Sequence, residues 1–482
     1  MSPILVFTIV AGYFCVLMLI AWLTTRKADN QSFFNANKSA PWYLVAFGMI
    51  GTTISGVTFI SVPGEVGNSA FSYLQFVLGN FVGYWVIAFV LLPVYYRMNV
   101  VSIYSFLQER LGFRSQKTGS MFFIISKVIG SAFRLYLVAG VLQLAFFDSF
   151  GIPFSVTVCT SIFLVWVYTY RGGVKTIVWT DTLQTLFLLS AVVFTIYEIS
   201  SELNWSPGGA IRNISEHDYS TVFFWDWRSP NNFFKQFLAG MFMTIVITGM
   251  DQDMMQKNLS CKTRRESVKN MLVFSFLFVG TVILFLGLGV MLYSFAGAKG
   301  IAVPPATDDF YPMLALNNLG LFVGIAFLIG ITAAAYSSAD SALTALTTSF
   351  CIDFLPYESY EERKKKMVRR WVHLGFSILL IIVILIFRLL NDESVVVAVF
   401  TAAGYTYGPL LGLFAFGLLN KRKVNEKYVP AVAVLSPVIC YFLSLFSEQL
   451  FFGYKFGFEL LILNGLLTYS GLLLLRNSNS RF

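Results

Sequence analysis

Four clusters of polar residues lie inside apolar stretches of this 482-residue chain, and their types point to ion and anion binding. The first is Gly51-Thr52-Thr53-Ile54-Ser55-Gly56-Val57-Thr58. Two glycines and four hydroxyl residues together weaken a helix. A helix unwound at bilayer depth frees carbonyls for a cation and amides for an anion. The competing reading is a seam of small residues that lets helices pack closely. The second runs from Ala333 to Ser341, where Ser337, Asp340, Ser341 and Thr344 share one helical face. Hard oxygen ligands of this kind suit an alkali cation. Serine and threonine alone could be packing glue, but an aspartate in a span needs a partner. The third, Arg171 to Gln184, carries Asp181 about one turn into an apolar run; there it is either a site carboxylate or a helix-start carboxylate favoured by the dipole. The fourth is Arg134, which could grip an anion bidentately or neutralise Asp181 or Asp340.

The elements that must position these groups are membrane spans. Hydrophobic residues make up 57% of the chain and charged residues 12%, against roughly half and a quarter in soluble domains. A spanning helix needs about 20 mostly apolar residues. Thirteen such segments are read near 3–24, 42–63, 71–97, 119–146, 153–170, 176–200, 232–256, 269–296, 320–349, 371–390, 394–419, 427–447 and 454–475. With the N-terminus outside and the C-terminus inside, alternation puts 26 of the 34 basic residues on the inner side. Among them are Arg26, Lys27, Lys257, the run Arg363 to Arg370, Arg476 and Arg481; Lys127, Arg134 and Arg388 fall within spans. Positive charge gathers in inner loops, and a wrong span count would scramble the asymmetry.

The same features exclude other classes. The net charge of +9 sits in short loops between spans, so it is no nucleic-acid footprint. Five scattered cysteines without a CxxC and only two histidines argue against a metal centre or a disulfide framework. Neither histidine lies in a polar span cluster, which argues against an intramembrane enzyme. The first apolar run has no basic residue before it and Arg26-Lys27 after it, the wrong flank for a cleaved signal peptide. The sequon Asn213-Ile214-Ser215 is a short match that arises often by chance. The basic stretch 357–370 reads as a solvated inner linker. No repeated pore motif suggests a channel.

Three stretches resemble the sodium:solute symporter family. They are Gly172-Gly173-Val174-Lys175 through Trp179-Thr180-Asp181-Thr182-Leu183-Gln184, Gly249-Met250-Asp251-Gln252-Asp253-Met254-Met255-Gln256-Lys257, and Ile54-Ser55-Gly56-Val57-Thr58-Phe59 with Pro63-Gly64-Glu65. The resemblance implies an all-α polytopic transporter of the LeuT type, one transmembrane domain over 1–482. Five helices (42–200) would be repeated, inverted, by five more (232–419), with an extra helix at 3–24 and two at 427–475. An odd-numbered unit repeated once must invert, in agreement with the loop charges.

The resemblance also implies site residues. The family's sodium site corresponds to the carbonyls of Gly51, Ile54 and Ala334 and the hydroxyls of Ser337 and Ser338. A second sodium site, found in members resembling the sialic acid transporters, corresponds to Asp181 and Ser341; Asp340 stands where those members have serine. Solute contacts would come from Thr53, Ser55, Thr58, Gln75 and Arg134. These imply sodium-coupled uptake of a small organic solute, a sugar acid or other carboxylate, by alternating access in the cell membrane. The partners would be solute, sodium ions and the bilayer, without nucleic acid. The rivals are a proton-coupled transporter, in which Asp181 and Asp340 carry protons, and a non-transporting membrane sensor.

Overall fold

The computed structural model describes residues 3–25, 30–390 and 395–475. Arg26, Lys27, Arg476 and Arg481, and the first residue of the segment expected at 394–419, lie outside the described residues. Among the described residues the secondary structure is helical; the only extended pairing is an isolated bridge between Ala40 and Cys261. We label the principal helices α1 (Pro3–Thr25), α2 (Trp42–Thr53), α3 (Gly56–Ser69), α4 (Ser72–Met98), α5 (Phe113–Ala145), α6 (Phe154–Thr169), α7 (Gly173–Glu202), α8 (Phe233–Ile247), α9 (Gln252–Asn258), α10 (Arg264–Lys299), α11 (Gly320–Phe354), α12 (Glu362–Leu390), α13 (Val395–Leu419), α14 (Val429–Leu445) and α15 (Leu460–Leu474).

Nine of these helices are long and apolar enough to cross a membrane, and two bent pairs bring the total to eleven. The pairs are α2 with α3, bent by 60°, and α8 with α9, bent by 72°. The apolar helices α6 and α15 occupy the expected segments 153–170 and 454–475 but fall short of a full span, so length and composition alone stop at eleven rather than thirteen. Each expected half therefore opens on a broken helix. The second helix of each half packs on the broken helix of the other: α4 lies along α8, and α10 along α2 and α3. The α4–α8 crossing is close because glycines face it from both sides. A Cβ on Gly79 would come within 2.0 Å of the Phe237 carbonyl, and one on Gly240 within 2.0 Å of the Phe76 carbonyl.

Local sequence explains the helix ends. Asn232 accepts from the amides of Phe234 and Lys235 to start α8, and Asp251 does the same for α9 through Asp253 and Met254. Thr263 caps α10 with Glu266 three residues on, and Gly300 closes it in the left-handed conformation. Helices α6 and α7 meet at Gly173 (φ 52°, ψ −144°), where a Cβ would lie 2.4 Å from the Phe33 carbonyl. That backbone is open to glycine and strained for other residues.

Polarity is inverted relative to a soluble protein. Phe89, Phe163, Phe276, Leu389 and Trp22 are exposed on the outer helix faces, whereas Asp181, Asp251, Asp340, Lys257 and Gln252 are buried. An apolar face turned to lipid and a polar interior is what a bilayer solvent selects. Helix α11 is central, with 67% of its apolar window buried, while α1 (28%) and α14 (22%) are peripheral.

Candidate cation and solute site

The site forms where the break between α2 and α3 meets the middle of α11. Helix α2 ends at Thr53, Ile54 is non-helical (φ −81°, ψ 81°), and α3 begins at Gly56. Among the described residues no backbone amide donates to the carbonyls of Gly51 or Ile54. Such freed carbonyls are good cation ligands. Gly51 is held close to α7: its amide donates to Thr185 Oγ1 (3.0 Å), and a Cβ there would lie 2.5 Å from the same oxygen.

Helix α11 reaches this break through two serines. Ser338 Oγ donates to the Thr52 carbonyl (3.3 Å), and Ser337 Oγ lies 3.2 Å from Thr52 Oγ1. Ser337 Oγ also donates to Asp181 Oδ1 (2.6 Å). Each serine thus spends its proton on a protein acceptor and leaves oxygen lone pairs free. With the Gly51 and Ile54 carbonyls, and Ala334 one turn before Ser338, these residues fit an alkali cation. Ser337 and Ser338 thus meet the end of α2 that carries Gly51, and Ala334 lies on the same helix as the two serines.

The expected second-site residues separate into two groups. Asp181 lies about two turns into α7, not at its start, so the dipole account fails. Its Oδ2 instead meets the Lys257 ammonium at 2.6 Å and accepts from Thr52 Oγ1 at 3.1 Å. Lys257 also donates to Thr52 Oγ1 and is 4.0 Å from Asp253. Asp340 and Ser341 make no hydrogen bond to that ion pair among the described residues, although Asp340 acts on both its members electrostatically. Tyr168 donates to Asp340 Oδ2 (2.9 Å) and Ser341 to Oδ1 (3.2 Å). Thr344, on the same face, has a buried hydroxyl without a partner.

A cavity of ≈ 100 Å³ opens beside the break. Thr53, Ser55, Thr58 and Arg134 line it, as expected. Gln75 does not. Its amide donates to Asn231 O (2.9 Å) and Ser72 O (3.3 Å) and accepts from the Phe224 amide (3.1 Å), so it ties down the loop before α8. Asn80, farther along the same helix, reaches the cavity instead. Arg134 makes no salt bridge among the described residues, which answers the question of its partner. Lys257 neutralises Asp181, and Tyr168 and Ser341 serve Asp340. The guanidinium is left facing the cavity.

Sequence reasoning missed two lysines. Loop charge puts Lys257 with the inner loops, yet it is 3% exposed at the centre of the site. Lys127, on the α5 face of Arg134 two turns earlier, pairs with Asp253 (2.7 Å) and Asp251 (3.3 Å). The stretch 249–257 holds the second break together. Tyr95 donates to the Gly249 carbonyl (2.8 Å), Tyr104 to that of Met250 (3.0 Å), and Tyr407 to Asp251 Oδ2 (2.7 Å). Gln252 bridges the backbone of Val101 and Ile103. The signal for Lys127 was its place inside a span. For Lys257 it was the second signature stretch itself, whose helical spacing sets the lysine four residues after Asp253.

Two broken helices crossing at a buried polar centre, inside a lipid-facing shell, define a polytopic transporter of the LeuT type. The family model "Sodium:solute symporter family" matches residues 33–427, and the chain belongs to that family. Among curated proteins it is similar to the sodium/sialic acid symporter SiaT of Proteus mirabilis, at 23% identity over 86% of this chain and 85% of that one. It is also similar to sodium-coupled monocarboxylate transporter 1 of Xenopus laevis, at 28% identity over 82% of this chain and 64% of that one. Among solved structures, an outward-open, substrate-bound Na⁺-coupled sialic acid symporter superposes with a TM-score of 0.82 at 19% identity, covering 97% of each chain. The nucleobase-cation-symport-1 transporter Mhp1 gives 0.53 at 12% identity, covering 91% of this chain and 92% of that one.

Proposed function

We propose that this protein is a sodium-coupled symporter that imports a small anionic solute, a sugar acid or another carboxylate. The carrying observation is Arg134, a guanidinium facing a hydroxyl-lined cavity without a carboxylate partner, next to an oxygen-rich break suited to sodium. Related proteins that carry sialic acid or monocarboxylates with sodium support the same solute class.

In this reading sodium binds the carbonyls of Gly51, Ile54 and Ala334 and the hydroxyls of Ser337 and Ser338. Binding ties α11 to the break and orders Thr53, Ser55 and Thr58 around the solute, while Arg134 takes its carboxylate. The two halves, 42–200 and 232–419, then rock around the site. One positive charge crossing 100 mV supplies about 2.3 kcal/mol. The N-terminus lies outside the cell membrane and the C-terminus inside. The chain transports; it performs no bond chemistry.

The test is uptake into proteoliposomes, with and without an inward sodium gradient, across sugar acids, monocarboxylates, neutral sugars and amino acids. Gradient-driven uptake confined to carboxylates is expected. Uptake that ignores sodium and follows pH would replace this reading with proton coupling, for which the buried Asp340, held by Tyr168, is the candidate carrier.

A further inference from the structure

We propose that Lys257 is a tethered cation: its ammonium takes the position at Asp181 that a second sodium ion would hold, so that one mobile sodium accompanies each solute. The inference rests on the first sodium site described above.

Three observations carry it. The Lys257 ammonium is 2.6 Å from Asp181 Oδ2 and donates also to Thr52 Oγ1, a set of hard oxygens that would equally suit sodium. Asp181 is otherwise occupied, with Ser337 on Oδ1 and Thr52 on Oδ2, so the ammonium fills the position left for a cation. Lysine and aspartate are 3% and 1% exposed, out of reach of bulk screening. Two cations against one carboxylate repel strongly in so dry a place. Sodium and ammonium therefore exclude each other at Asp181.

Charge balance agrees. The Lys257–Asp181 pair is neutral. Lys127 faces two carboxylates, Asp251 and Asp253, at the other end of the cavity. Asp340 makes no ion pair of its own among the described residues; it hydrogen-bonds Tyr168 and Ser341, and Lys257 acts on it only through space. Carboxylates thus outnumber the two buried lysines in this region, which favours a bound cation beside them. Lysine suits the task because its charge rides on a flexible four-carbon stem. It arises from α9, the inner half of one broken helix, and reaches Thr52 at the end of α2, in the other. The pair therefore ties the two breaks together where the first sodium binds.

The experiment counts sodium. Equilibrium binding of radioactive sodium to the purified full chain should give one ion per wild-type monomer, and K257R should give the same. In K257M the vacated carboxylate should accept a second ion, and thermal stability should rise more steeply with sodium than in wild type. K257M combined with D181N should return to one ion. Two ions bound by the wild type overturn the proposal, as does a folded K257M that still binds one. The wild-type count decides the matter even if K257M does not fold. A wild type that binds no sodium removes the first site and this inference together, whereas a count of two leaves the symporter reading intact.

Discussion

A serine hydroxyl that gives its proton to a carboxylate turns its lone pairs to the other side, and Ser337 on Asp181 is such a case (2.6 Å). Replacing Ser337 or Ser338 by alanine deletes one proposed sodium ligand and one tie to α2 or α7. Sodium-stimulated uptake should be lost in either variant, and an unchanged sodium-activation curve would refute the assignment. Arg134 carries the next prediction at this scale. A charged hydrogen bond is worth about 1.5–3 kcal/mol, so R134A should raise the KM for a carboxylate solute roughly 10- to 100-fold. Sodium binding without solute should persist in R134A, since no first-site ligand is touched. A loss of sodium binding instead would make Arg134 part of the cation site.

At the scale of elements, the breaks and junctions decide where these groups stand. Gly173 joins α6 to α7 at φ 52°, with the Phe33 carbonyl packed where a Cβ would go. G173A should cost about 1–3 kcal/mol, read as a lowered unfolding temperature in detergent. A wild-type melting curve would show that the junction tolerates a side chain. The second break depends on Lys127, whose ammonium holds Asp251, the cap of α9, and Asp253. K127M strands two buried carboxylates, and removing one partner of a buried pair costs about 3–5 kcal/mol. The expected result is a steep fall in folded yield. The element order was legible in the sequence because the apolar runs follow one another as the helices do, although length and composition support eleven spans rather than thirteen among the described residues. The two bends were visible only in part, as glycine and hydroxyl residues near 51–58. The break at 248–251 offers only Thr248 and Gly249, and it is set by Asp251 capping and tyrosine donors from other helices.

For the whole molecule, the lipid-facing shell of phenylalanine and leucine and the buried charges follow from a solvent that cannot hydrogen-bond. Orientation is testable at this scale. Single cysteines placed at Asp226, in the loop before α8, and at Lys364, in the basic first turn of α12, should react with an impermeant thiol reagent from opposite sides of intact cells, the first from outside. The opposite pattern would reverse the sense of transport. The five native cysteines are free, and Cys261, Cys351 and Cys440 are buried, so the background should come from Cys15 and Cys159 on lipid-exposed faces.

The sequence by itself determined the membrane class, the order of apolar segments and the family, and it named five candidates for the first sodium site. Composition, loop charge and local motifs carry those, and each is a property of neighbouring residues. Only the tertiary structure decided which charge answers which. Asp181 meets Lys257 from 76 positions further along the chain, and Gln75 turns to the loop before α8 although its type suited the cavity. Arg134 keeps its charge for a ligand because Lys257 and Tyr168 take the carboxylates it could have met. Pairing of buried charges is a matter of distance in three dimensions, and in a bundle of crossing helices that distance is set by packing between elements far apart in sequence.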